Sequence, residues 1–158
     1  MIQYKTATTE DIAELMRIRL EMLREVNELP PDYAFSEDFY TYSMNYFLNG
    51  QHTNVLAKDG DGGKSIGCAS LCYMEIMPTF SHPTGKRAHL MNVYTAHDYR
   101  GEGIARHMIA LLIEEARRRD VTEISLDATS SGRPLYRKLG FQDSEECMVL
   151  TLSCQTES

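Results

Sequence analysis

The run Arg100, Gly101, Glu102, Gly103, Ile104 and Ala105 places two glycines where an apolar helical repeat begins. A helix N-terminus leaves backbone N–H groups without intrahelical partners and carries roughly half a positive charge, so it attracts phosphate oxygens without a lysine. Gly101 and Gly103 have no Cβ to hold a diphosphate away, and glycine accepts the left-handed angles that make successive N–H groups converge. Ala105 keeps the next position small. The turn therefore reads as a pyrophosphate cradle. A P-loop is excluded because no Gly-Lys-Ser/Thr ending follows Gly103. The dinucleotide fingerprint is excluded as well, since Arg106 and His107 leave no third glycine at the required spacing and two helices and three strands precede the turn.

The elements that must position this turn follow from periodicity. Residues 2 to 7 form a short mixed run, after which Thr8, Thr9, Glu10 and Asp11 have the composition of a helix start. Ile12, Leu15, Met16, Met22, Leu23 and Val26 then recur at helical spacing until Pro30 and Pro31 end the pattern. Ser36 is placed to cap a second helix carrying Phe39, Tyr42, Tyr46 and Phe47, closed by Asn49 and Gly50. Asn54 to Lys58 and Ser65 to Ile76 read as antiparallel strands joined by the turn Asp59 to Gly63. A longer connection with Pro78, Pro83 and Gly85 leads into a third strand, Arg87 to Thr95, which ends just before the glycine turn. Ile104, Met108, Ile109, Leu112, Ile113 and Ala116 give the next helix its apolar face, with Glu114 and Glu115 spaced to pair with Arg118 and Arg119. A strand from Glu123 to Thr129, a short helix from Gly132 to Leu139 and a last strand from Cys147 to Leu152 complete the pattern. The expected fold is α+β, a mixed sheet with helices packed on it, in one domain spanning residues 1–158.

Composition narrows the function classes. A formal net charge of −7 disfavours a nucleic-acid backbone as partner. The one basic cluster, Arg117 to Arg119, ends a helix, where positive charge suits the dipole. No run approaches the roughly 18 apolar residues of a membrane span, and Met1 to Lys5 does not open like a signal peptide, so the expected compartment is the cytoplasm. Cys68 and Cys72 on one strand would stand about 13 Å apart, too far for a disulfide. The cysteine and histidine spacings match no metal site.

Tyr99 to Ala105 resembles the R/Q-x-x-G-x-G/A motif of the GNAT superfamily of N-acetyltransferases, with Arg100, Gly103 and Ala105 at its defined positions. The resemblance continues through Leu90 to Thr95 as the family's fourth strand and Ile104 to Arg118 as its third helix. Leu135, Tyr136, Arg137, Lys138, Leu139, Gly140 and Phe141 resemble its Leu-Tyr-x-x-x-Gly-Phe signature. The likeness implies a mostly antiparallel sheet with a splayed strand pair holding acetyl-CoA. The pyrophosphate would lie on the backbone of Arg100, Gly101, Glu102, Gly103, Ile104 and Ala105, and the pantetheine arm along Val93, Tyr94 and Thr95. Leu135 and Tyr136 would flank it from the other side.

The reaction so implied is direct attack of a primary amine of a small molecule or peptide on the thioester, with no covalent enzyme intermediate. It needs a base for the ammonium proton, a backbone donor near Val93 or Tyr94 for the oxyanion, and an acid for the departing sulfur. Tyr136 is the candidate acid. Glu75, His89, Tyr94 and Asp127 are candidate bases, Glu75 ranked first for its place beside the long connection, with a water chain as the alternative. The connection carrying Tyr33 and Phe35 would border the acceptor pocket. Met74, Met77 and Met91 read as core or pocket filler, and Tyr40, Tyr42 and Tyr46 as a helix surface. The alternative function is a non-catalytic acyl-CoA-binding regulatory module. A homodimer is possible through pairing of an exposed Cys147 to Leu152 strand.

Overall fold

A computed structural model describes residues 1–153 of the chain. It comprises two compact units, Met1–Asp127 and a smaller one beginning at Ala128.

In the first unit, β1 (Ile2–Thr6), β2 (His52–Asp59), β3 (Ser65–Glu75), β4 (Lys86–Thr95) and β5 (Glu123–Leu126) form one sheet in the order β1-β2-β3-β4-β5. The first four strands are antiparallel neighbours, and β5 joins β4 in parallel. Three long helices, α1 (Ile12–Val26), α2 (Glu37–Asn49) and α3 (Ile104–Arg118), accompany it. Thr8 and Asp11 form a reciprocal capping box ahead of α1, and the Ser36 hydroxyl accepts from the Phe39 N–H at the start of α2. The expected elements of this unit are present with ends shifted by a few residues, and residues 2–6, expected only as a mixed run, add a fourth strand ahead of the glycine turn by pairing with β2.

Adjacent residues of β3 point to opposite faces and separate two apolar layers. Cys68 packs with Ile12, Leu15, Met16, Ile18 and Met22 of α1, Phe47 of α2, Leu56 of β2 and Tyr94 of β4. Its neighbour Gly67 instead lies against Met108 of α3, whose Ile104, Ile109, Leu112 and Ala116 are also buried. Helix α3 therefore covers the face opposite α1. Glu14 fastens α1 to β3, accepting from the Ser65 N–H and from Arg17, which itself donates to the Ser65 carbonyl.

The second unit contains α4 (Arg133–Lys138), begun at Gly132 with Pro134 in its first turn. Arg133 and Arg137 both donate to Asp143. Cys147 to Leu152, expected as a strand, has no strand pairing, and Met148, Val149, Leu150 and Leu152 are exposed. Valine, leucine and threonine suit a pleated surface, but they make a strand only beside a hydrogen-bonded neighbour. Arg118 also departs from expectation, bonding Glu115 rather than Glu114, while Arg119 takes Glu115 at 3.0 Å as read from the sequence.

Candidate active site

Strand β4 carries the central irregularity. It pairs with β3 at Thr95↔Gly67 and Tyr94↔Cys68, but at Met91↔Ser70 the register has slipped by one, leaving an extra residue on β4. Asn92 absorbs this bulge at φ 59°, in the left-handed region that asparagine tolerates better than most side chains. On the other edge, β5 follows β4 only from Arg87↔Glu123 to Leu90↔Leu126. Beyond Leu90, Met91 to Thr95 have no strand partner on that side among the described residues, so their backbone can pair with an extended ligand.

This open edge leads through the 3-10 turn His97–Tyr99 into the glycine turn. Gly101 lies at φ 82° and Gly103, the N-cap of α3, at φ 80°, and a Cβ at either would project into open space. Among the described residues, the N–H groups of Gly101, Glu102 and Gly103 meet no protein acceptor. The turn thereby presents free donors from backbone alone, an arrangement suited to an anion. Side chains hold it in place. Arg100 donates from Nε to the Thr95 carbonyl at 2.8 Å and from Nη2 to Glu25 of α1 at 2.5 Å, Tyr99 donates to Asp59 at 2.9 Å, and His107 stacks on Tyr4 at 4.0 Å between ring centroids. The Arg100 guanidinium holds the Glu25 carboxyl below its usual range, against the opposing effect of burial. Tyr94 turns its hydroxyl toward Glu25 at 2.9 Å, and burial, reinforced by that carboxylate, pushes the phenol up.

On the α1 face, a cavity of about 470 Å³ opens beside the bulge. Its lining includes Phe39, Tyr42 and Tyr46 of α2, Arg19 of α1, and Met91 and Asn92 of β4. Tyr42 and Tyr46, expected as helix surface, belong to this wall, and Met91 fills it as expected. Tyr33 and Phe35 form an aromatic series leading into Phe39, with ring centroids 5.1 and 5.2 Å apart. Arg19 and Asn92 were not foreseen. Arg19 had a legible signal, because it occupies the apolar stripe of α1 between Leu15 and Met22. Asn92 had only the weak signal of an asparagine inside a strand.

The proton-transfer candidates separate. His89 lies between Ser125, whose hydroxyl is 2.8 Å from Nδ1, and Asp127, whose carboxylate is 3.5 Å from Nε2. It is paired with Cys72 and stands two residues from Met91, both of which line the 470 Å³ cavity. Glu75 ends β3 opposite Lys86, exposed, about 16 Å along the strand from Ser70. It lines a different cavity of about 610 Å³, together with Lys86, Arg87, Arg118 and Arg119. The fold does not bring it to the bulge. In the second unit, Tyr136 is half-buried and meets Phe141 edge-on at 5.9 Å, and burial raises its phenol. Leu135 occupies the same short helix.

Among the described residues no group of three or more His, Cys, Asp or Glu is arranged to hold a metal, and no helix is long and apolar enough to cross a membrane. Cys68, Cys72 and Cys147 are free thiols.

Residues 15–141 match the family model of the Acetyltransferase (GNAT) family, and the chain belongs to that family. A crystal structure of a predicted acetyltransferase from Clostridium acetobutylicum with acetyl-CoA superposes with a TM-score of 0.82 at 31% identity, over 96% of each chain. A GCN5-related N-acetyltransferase from Ralstonia eutropha gives a TM-score of 0.77 at 22% identity, over 96% of this chain and 99% of that one, a likeness of fold. In sequence, a glucosamine 6-phosphate N-acetyltransferase of Trypanosoma brucei brucei is 33% identical over 90 residues, covering 57% of this chain and 59% of that protein.

Proposed function

We propose that this chain is an acetyl-CoA-dependent N-acetyltransferase, moving an acetyl group directly to a primary amine of a small molecule or peptide. The observation that carries this reading is the continuity between the open β4 edge, Met91 to Thr95, and the unpaired amides of Gly101 to Gly103. One edge suits an extended amide-bearing arm and the other a diphosphate. The relative from Clostridium acetobutylicum, solved with acetyl-CoA, supports the same cosubstrate.

In this reading acetyl-CoA supplies the activated acyl group as a thioester. Val93, Tyr94 and Thr95 hold the arm through their backbone, and Arg100, Gly101, Glu102, Gly103, Ile104 and Ala105 hold the pyrophosphate through theirs. A backbone N–H at Val93 or Tyr94 donates to the oxygen that gains charge as the amine attacks. His89 serves as base through Ser125: with its Nε2–H facing Asp127, its Nδ1 takes the Ser125 hydroxyl proton as that hydroxyl takes the proton from the acceptor's ammonium group, and Glu75 has no part in the transfer. Tyr136, by family resemblance, gives a proton to the departing sulfur, and Leu135 packs beside it. Residues 1–158 act as one acetyltransferase domain. The free thiols fit a reducing cytoplasm.

Thiol release from acetyl-CoA across a panel of amino acids, polyamines, amino sugars, aminoglycosides and peptides tests the proposal. At least one amine gives stoichiometric thiol and N-acetyl product. Tight acetyl-CoA binding with no turnover on any amine would instead make the chain a regulatory acyl-CoA-binding module.

A further inference from the structure

Arg19 carries a charge that the acetyl-transfer machinery does not use. It stands on the core-facing stripe of α1, half-buried, and lines the 470 Å³ cavity. A guanidinium has five N–H donors. The one hydrogen bond of Arg19 among the described residues runs from its Nη1 to Asn92 Oδ1 at 2.9 Å, and the group lies 5.9 Å from the Phe39 ring centroid. Among the described residues no aspartate or glutamate pairs with it, whereas Arg17, two residues earlier, has both Glu14 and Glu21. Burial pushes the Arg19 guanidinium down, and the two thiols Cys68 and Cys72 offset this only in part.

Holding the bulge does not account for this arginine. Asn92 is already tied by its amide to Ser70 at 3.3 Å and to the Cys68 sulfur at 3.6 Å. A neutral donor would serve for the remaining bond to Oδ1. A cation brought out of water beside aromatic rings without a counter-ion is costly unless something of opposite charge completes the site.

Resting on the acetyl-transfer reading, we infer that the acceptor is an amine bearing a carboxylate, held by Arg19, with its apolar portion against Phe39, Tyr42 and Tyr46. The pairing with Asn92 places the guanidinium one side chain away from the β4 bulge. Carboxylate and reacting amine are therefore separated by a few bonds, as in an α-amino acid. Among the described residues Arg19 is the one cationic side chain of this cavity, and no acidic residue lines it. A single guanidinium fork matches the single charge and planar oxygens of a carboxylate. A phosphomonoester would bring up to two negative charges into an aromatic pocket that offers one positive charge.

The test compares apolar α-amino acids such as phenylalanine, methionine and leucine with their amides and decarboxylated amines, and with glucosamine 6-phosphate. Wild-type protein is measured beside Arg19→Gln, which keeps a donor for Asn92, and Arg19→Lys, which keeps the charge. The free acids are acetylated with kcat/KM at least tenfold above their amides. Arg19→Gln raises KM for the acids tenfold or more, leaves acetyl-CoA affinity within about twofold, and abolishes the preference for acid over amide, while Arg19→Lys restores it in part. In parallel, calorimetry measures binding of N-acetylphenylalanine to the protein saturated with CoA, a readout independent of turnover. Equal rates for acids and amides, a preference for glucosamine 6-phosphate, or unchanged acid KM in Arg19→Gln would overturn the inference. If no amine turns over yet N-acetylphenylalanine binds wild type and not Arg19→Gln, the carboxylate subsite stands and the acetyl-transfer reading falls. Absence of that binding together with absence of turnover overturns both.

Discussion

The glycine turn and the aromatic cavity are two candidate binding regions made in opposite ways. From Gly101 to Gly103 the groups facing a ligand are backbone N–H donors, and the side chains of Arg100, Tyr99 and His107 point away to fasten the turn to Thr95, Glu25, Asp59 and Tyr4. In the cavity beside the bulge, Arg19, Phe39, Tyr42, Tyr46 and Met91 present side chains from three separate elements. A backbone site suits a cosubstrate common to a whole family, since it depends on chain path and tolerates changes of side chain. A site of side chains can change its ligand without altering the fold. Substitutions should therefore divide into those that affect the acetyl donor and those that affect the acceptor.

The largest expected effect that sharpens this division is at His89. His89→Asn keeps a polar group near Ser125 but removes the proposed proton acceptor, and kcat should fall about 100-fold. Acetyl-CoA affinity by calorimetry should stay within twofold. A parallel loss of acetyl-CoA binding would show that the two regions are not separable at β4.

A smaller effect belongs to the frame beneath both regions. Arg17, with the Ser65 N–H adding to it, lowers the Glu14 carboxyl from 4.5 to about 2, against the opposing effect of burial. Because the folded value is depressed, this contribution is fully present above pH 4.5 and is lost as pH falls from 4.5 toward 2. Glu14→Gln should cost about 1 kcal/mol at pH 7, water at the edge of the pair screening part of its charge. It should also flatten the acid side of the stability curve, as read by urea denaturation at a series of pH values. An unchanged acid limb would remove Glu14 as the link between α1 and β3.

The same contrast explains what could be read from the sequence. Gly101 and Gly103 were legible because a positive φ at a helix start leaves a glycine signature, and the order from α1 to α4 followed from local periodicity, whereas β1 and the unpaired segment Cys147 to Leu152 depended on whether a neighbouring strand was there to pair. The open β4 edge came through family resemblance, and the register slip at Asn92 locates it. The pocket was largely illegible, since Arg19, Phe39 and Met91 are far apart in sequence and meet only through packing of α1 and α2 on the sheet. Glu75 illustrates the same point. Its place beside a long connection made it attractive, but strand length carries it to the far end of β3 and into a basic cavity. His89 and Asp127 were both among the candidates, yet their approach depends on the parallel register of β4 and β5, which spacing does not reveal.

The account rests most directly on acetyl-CoA binding to the backbone of the glycine turn, and calorimetric titration of Gly103→Val and Glu102→Ala tests it. Gly103→Val places a β-branched side chain at φ 80° and a Cβ in the cradle. Its acetyl-CoA affinity should fall at least 100-fold, about 3 kcal/mol by affinity arithmetic, while circular dichroism shows a folded chain. Glu102→Ala, which changes a side chain but no backbone donor, should bind within about twofold of wild type. Undiminished acetyl-CoA affinity in folded Gly103→Val, or a comparable loss in Glu102→Ala, would contradict a backbone-built pyrophosphate site.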